Sequence, residues 1–219
     1  MRSRLEELFY NADHSSDKWE PYFEVYERHL KRYMGTDVNV VEVGVQKGGS
    51  LEMWSSYFGT GSKIVGIDID PECAALKYDN ENIEVVIGDQ GRRDFWDKFL
   101  NNRKIDVFVD DGGHHSNDQI VTFEKVFPSL EAGGIFICED THTSYFRNYW
   151  GGGLHSKESF INYVKGLIDV LHYDWKQEST VELERKKIIS ESISGIFFYD
   201  SVVVIEKFGK RVMNRVFSK

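Results

Sequence analysis

Cysteine is scarce in this chain: Cys73 and Cys138 are the two among 219 residues. Two thiols 65 positions apart supply neither a disulfide framework nor a Cys-x-x-Cys metal site. Cys138 falls inside an apolar run and reads as a small buried hydrophobe. Proline is scarce too, with three, and no Pro/Gly/Ser-rich linker or internal repeat interrupts the chain. A single domain over residues 1–219 is therefore expected. No apolar run approaches the roughly 20 residues of a membrane span, and the first residues, MRSRLEELFYNADHSSD, lack the apolar stretch of a signal peptide. These absences predict no membrane partner and a reducing, cytoplasmic setting. Positive charge is in deficit: 27 basic against 36 acidic residues leave a net charge of −9, which argues against a nucleic-acid surface. The one basic stretch, Lys207 to Lys219, reads as a solvated tail.

Hydrophobic residues make up 41% and charged residues 29%, enough apolar material at this length for a full α/β core. Residues 1–36 read as an N-terminal helical segment packing on that core; Trp19, Tyr22, Phe23, Tyr26 and Leu30 recur at the spacing of one helix face. Strand runs follow at Val38–Val43, Lys63–Asp68, Ile83–Ile87, Ile105–Asp110 and Gly134–Cys138, with helices clearest at Ser50–Phe58 and Asn117–Phe127. The strands are nearly continuous in Val, Ile and Phe, as expected when helices cover both faces of a parallel sheet. After a helix at about Ser159–Tyr173, the stretch SISGIFFYDSVVVIEK reads as two strands around the turn Tyr199-Asp200-Ser201. The fold class follows: α/β, doubly wound and Rossmann-like, with a mostly parallel seven-stranded sheet ending in an antiparallel hairpin.

The loop after the first strand, EVGVQKGGS (42–50), opens a helix. Gly44 permits a tight turn, while Gly48 and Gly49 allow close backbone approach at a helix N-terminus. Its spacing is G-x-x-x-G-G, with Gln46 where a dinucleotide fingerprint has its middle glycine. Asp68 closes the second strand, where a carboxylate can accept hydrogen bonds from both ribose hydroxyls of a nucleoside. Asp70 precedes Pro71 and reads as a cap instead. Asp89 and Gln90 end the third strand and either flank an adenine or serve the turn.

Two apolar runs break into acid at their ends: FVDDGGHHSND (108–118) and ICED (137–140). If those strands are neighbours, their ends lie about 5 Å apart, and like charges that close are costly without a cation or proton between them. Oxygen ligands of this kind suit a hard divalent ion, and no Cys/His spacing suggests zinc. His114, on a glycine-preceded loop, suits a general base, with His115 as its competitor. Residues 141–158, aromatic and glycine-rich at the start, read as a mobile loop over the active site.

EVGVQKGGSLEMW, VGIDIDP, GDQ, DDGGHHS, GGIFICEDTHTSY and FYDSVVVIEK, in this order, resemble the class I S-adenosylmethionine-dependent methyltransferases. Within them the likeness is to the metal-dependent sugar O-methyltransferases of the macrocin and mycinamicin type, and it runs from about Asp17-Lys18 to the terminal hairpin. The resemblance implies S-adenosylmethionine around Glu42, Gly44, Gln46, Gly48, Ser50, Asp68, Asp89, Gln90 and Asp110. It implies magnesium or another divalent cation on Asp111, Glu139 and Asp140, with His114 as base. His115, His142 and Tyr145 are the substrate candidates, and the acceptor would be the hydroxyl of a sugar or glycosylated metabolite. The macrolide enzymes carry an additional N-terminal domain that this sequence does not include, so acceptor identity does not transfer, and self-association into a homo-oligomer is left open. The rival readings are a phenol or catechol acceptor, a nicotinamide-dependent oxidoreductase, and a non-catalytic cofactor-binding protein; the glycine spacing disfavours the oxidoreductase.

Overall fold

The strand-forming runs of Val, Ile and Phe all enter one sheet in the computed structural model, which describes residues 2–185, 187–190, 192–208 and 215–218. The strands are β1 (Asn39–Val43), β2 (Lys63–Asp68), β3 (Ile83–Ile87), β4 (Ile105–Asp110), β5 (Leu130–Cys138), β6 (Ile193–Phe198) and β7 (Val203–Lys207), in the spatial order 3-2-1-4-5-7-6. β1 to β5 pair in parallel, and β7 inserts antiparallel between β5 and β6. This is the Rossmann-like sheet with a terminal hairpin that the strand pattern predicts. Of the basic stretch Lys207–Lys219, residues 209–214 and 219 lie outside the described residues.

Side-chain alternation along the strands builds two cores. Val41, Val43, Phe108, Phe136 and Val203 face one layer. It is closed by helices α4 (Arg93–Phe99), α5 (Ser116–Val126) and α6 (Phe160–Leu171), with the short α7 (Val181–Arg185) and α8 (Lys187–Ser190) beyond them. Val40, Val107, Val109, Ile135 and Val204 face the other, closed by α1 (Arg4–Tyr10), α2 (Glu20–Leu30) and α3 (Gly49–Tyr57). The apolar face read at residues 18–34 becomes α2: Tyr22, Phe23, Tyr26 and Leu30 are buried, whereas Trp19 precedes the helix and is exposed. α1 and α4 span seven residues each, too short for the periodic pattern to single them out. β5 starts four residues before the expected Gly134, because Leu130 pairs with Ile105 ahead of an irregularity containing Gly133 and Gly134. The glycines hide that extension in the sequence.

The placement of β1 beside β4 makes their boundary the switch point, where ligands bind beyond the carboxyl ends of such sheets.

Candidate active site

One cavity of about 580 Å³ opens at that switch point, a volume suited to a cofactor or drug-sized ligand. Its first half is made of backbone. Gly44 leaves β1 with φ +96°, and a Cβ there would stand 2.0 Å from the carbonyl oxygen of Asp111. The loop therefore passes closer to the end of β4 than any side chain allows. Val45 N–H and Gln46 N–H donate to Asp68 Oδ2 at 2.8 and 3.0 Å, and Asp70 N–H donates to Oδ1 at 2.9 Å. Partial burial works against the Asp68 carboxylate, but these three bonds outweigh it and hold its pKa below the ordinary value. Asp70 caps the following turn through Glu72 N–H, as its place before Pro71 predicts.

Gly44, Gln46, Asp68, Asp89 and Gln90 all reach this cavity. Gln90 also braces the floor: its Nε2 donates to Asp110 Oδ1 at 3.0 Å, and its Oε1 accepts from Gly113 N–H at 3.0 Å. Asp110 is fully buried behind it, and burial pushes its carboxyl up to about 7. Glu42 and Ser50 also lie behind the wall, joined by a 2.7 Å hydrogen bond, and Gly48 caps α3 against Tyr78.

The second half is made of side chains. Parallel pairing aligns Asp110 with Cys138, and Glu139 N–H continues the ladder to Asp110 O, so the acidic ends of β4 and β5 are adjacent as their sequence predicts. Asp111, His114 and Asp140 each offer a ligand atom, and these atoms lie within 4.8 Å of one another. His114 Nε2 is 3.4 Å from Asp140 Oδ2. Burial, countered in part by Asp111 and Asp140, lowers the His114 pKa and so favours the neutral imidazole. Burial raises the carboxyls of Asp111 and Glu139, with Lys18 acting in the opposite sense on both. Oxygen donors with one imidazole form a set that fits a hard divalent cation.

Gln46, His114 and Asp140 all reach the cavity with φ of 49°, 56° and 51°. Left-handed backbone in residues other than glycine carries a strain of roughly 1–3 kcal/mol each and concentrates at functional sites. Thr143 holds two of them in place: its Oγ1 lies 2.8 Å from the carbonyl oxygens of both His114 and Asp140. The segment after Asp140 is thus partly built into the floor, with Thr141, Thr143 and Ser144 buried. Its outer residues Tyr145, Phe146, Trp150 and Leu154 are exposed. Of the substrate candidates, His115 lines the cavity and accepts from Trp150 N–H through Nδ1. His142 sits beside it, 2.5 Å from Ser201 Oγ and 3.8 Å from Asp140 Oδ1.

The residues least visible in the sequence come from the N-terminal segment. Trp19 Nε1–H and Tyr22 O–H donate to Asp140 Oδ1 at 3.1 and 2.6 Å. Tyr26 O–H donates to Glu139 Oε1 at 2.5 Å, and the Lys18 ammonium lies 2.9 Å from Glu139 Oε2. The helix face that reads as apolar is therefore also a row of donors. The available signal is its composition, since KWEPYFEVY uses Trp and Tyr where Leu would serve packing alone.

The family described as "Methyltransferase domain" matches residues 41–141, from β1 through the acidic end of β5. The 8-demethyl-8-(2-methoxy-alpha-L-rhamnosyl)-tetracenomycin-C 3'-O-methyltransferase of Streptomyces olivaceus is 31% identical over 90% of this chain and 52% of its own length. The mycinamicin VI 2''-O-methyltransferase of Micromonospora griseorubida is 30% identical over 83% of the chain and 47% of its length. The chain spans about half the length of the curated relatives it matches. Among solved structures, the MycE methyltransferase of the mycinamycin pathway, in complex with Mg and SAH, superposes with a TM-score of 0.79 at 25% identity, over 95% of this chain and 55% of that one. By motif order, sheet topology and these likenesses together, the chain belongs to the class I S-adenosylmethionine-dependent methyltransferases, related to the macrocin and mycinamicin sugar O-methyltransferases.

Proposed function

We propose that the protein transfers the methyl group of S-adenosylmethionine to a hydroxyl of a sugar or glycosylated metabolite, with the help of a divalent cation such as magnesium. The observation that carries this reading is the meeting, in one cavity, of the nucleoside-type wall around Asp68 with the Asp111, His114 and Asp140 cluster. Relatives about 30% identical to this chain are sugar O-methyltransferases by name, and MycE is solved with Mg, SAH and mycinamycin VI. Gly44 and its loop would receive the methionine part of the cofactor, and Asp68 the ribose, with Asp89 and Gln90 near the adenine. Asp111 and Asp140, joined by Glu139, would hold the cation. When bound, that ion supplies Lewis acidity that lowers the pKa of an acceptor hydroxyl. His114, next to Asp140, would take the proton from that hydroxyl. The enclosing loops align oxygen, methyl carbon and sulfur for in-line transfer.

The test is a methyl-transfer assay with isotopically labelled S-adenosylmethionine and a panel of glycosylated acceptors. Labelled product that disappears in chelator and returns with Mg²⁺ is the expected result. Transfer that proceeds undiminished in chelator overturns the role of the metal, and methylation of catechols in preference to sugars overturns the acceptor class.

A further inference from the structure

Lys18 precedes α2, yet its side chain is only 1% exposed. Its ammonium reaches past the helix into the acidic strand ends, 2.5 Å from Asp111 Oδ2, 2.9 Å from Glu139 Oε2 and 3.5 Å from Glu42 Oε1. Two of these partners, Asp111 and Glu139, are carboxylates that the proposed reading gives to the divalent ion. The third is different. Glu42 Oε1 is buried and makes no hydrogen bond within 3.5 Å among the described residues, although Ser50 satisfies Oε2 of the same carboxylate and the buried indole of Trp54 also favours its ionised form. A buried acceptor left open beside a buried ammonium is a second seat for it.

We propose that Lys18 and a divalent cation are alternative counter-ions of Asp111 and Glu139, and that the ammonium withdraws toward Glu42 when the cation binds. Lys18 is then a positioning residue. Without the ion it keeps like-charged, desolvated carboxylates assembled, and in the presence of the ion it opposes binding and sets the affinity. Charge repulsion acts strongly here because the groups are shielded from water. This inference rests on the metal-assisted reading of the same site.

Mn²⁺ binding to the full chain, saturated with S-adenosylhomocysteine at pH 8, tests it by electron paramagnetic resonance or calorimetry. Lys18→Met is expected to bind Mn²⁺ at least tenfold more tightly than the wild type. It is also expected to melt lower without the ion and to regain more of its melting temperature than the wild type when Mn²⁺ is added. Lys18→Gln, which keeps a donor for Glu139, carries the same expectation if the methionine variant does not fold. A crystal structure of the wild type with Mn²⁺, needing no variant, should show the ammonium off Asp111 and on Glu42. Wild-type binding of Mn²⁺ with no gain in the variants, or with the ammonium still on Asp111, overturns the role of Lys18 and leaves the metal site standing. Absence of Mn²⁺ binding from wild type and variants alike removes the metal reading and this inference with it.

Discussion

The two halves of the cavity are built by different means. Around Asp68 the wall is backbone: a glycine turn, three main-chain N–H groups on one carboxylate, and a loop that admits no Cβ. Around Asp111 and Asp140 it is side chain, and the groups that hold it arrive from more than 90 residues away, as Lys18, Trp19, Tyr22 and Tyr26. A backbone wall is specified locally and tolerates change in distant elements. A side-chain wall depends on tertiary convergence and can be retuned by single substitutions. In the proposed reading the cofactor would face the conservative construction, and the chemistry the adjustable one.

The largest expected effect separates the halves outright. Asp111→Ala removes a proposed ligand without touching the backbone that approaches Gly44, so methyl transfer should fall by about 10³-fold or more. Affinity for S-adenosylhomocysteine should stay within about threefold, as for sites that share no partners. Gly44→Ala should do the reverse. A Cβ 2.0 Å from Asp111 O, on a backbone at φ +96°, forces the loop away, with a stability loss of roughly 2–3 kcal/mol and weaker cofactor binding. Calorimetry with S-adenosylhomocysteine on both variants decides the matter; equal loss of cofactor affinity in the two would mean that the halves are one unit.

This division also governs what the sequence discloses. The β1 loop, Asp68 and the acidic strand ends are legible because each is a short motif at the end of an apolar run, and strand alternation places those ends together. The hairpin is legible from its turn. Lys18 is not legible as a partner of Asp111, 93 positions away, because nothing local to SSDKW says where an ammonium points. Thr143 is hidden for the same reason. Threonine in a polar segment reads as loop, and only the strained carbonyls of His114 and Asp140 reveal its work. Tyr22 and Tyr26 are half legible: burial follows from periodicity, whereas their hydroxyl partners do not.

A smaller effect probes the side-chain half alone. Tyr26→Phe keeps the ring packed on Trp54 but strips Glu139 Oε1 of its donor in a fully buried site. Leaving one buried acceptor unsatisfied costs about 1–3 kcal/mol, visible as a lower denaturant midpoint with unchanged slope. Cofactor affinity should not move. If it does, α2 supports the backbone wall as well.

The smallest effect concerns the far end of the same helix, which serves neither half. His29 is buried where α2 meets the hairpin, with Nε2 2.8 Å from the Tyr199 hydroxyl and Nδ1 3.4 Å from Glu206 Oε1. Burial lowers its pKa, and Glu206 recovers only part of the loss. A depressed folded-state pKa means that, as pH falls through the unfolded value near 6.5, the unfolded chain takes up the proton first. Folding stability therefore drops below about pH 6.5, by no more than about 1.4 kcal/mol per pH unit for one proton. His29→Gln keeps a polar group toward Tyr199 but cannot titrate, so its denaturation midpoints should be less sensitive to pH between about 5 and 7 than those of the wild type. S-adenosylhomocysteine affinity measured over the same range should be equally unaffected by this substitution, because neither His29 nor its partners Tyr199 and Glu206 line the cavity proposed for the cofactor. Parallel pH slopes in wild type and variant would show that the anchor of α2 carries no titrating load.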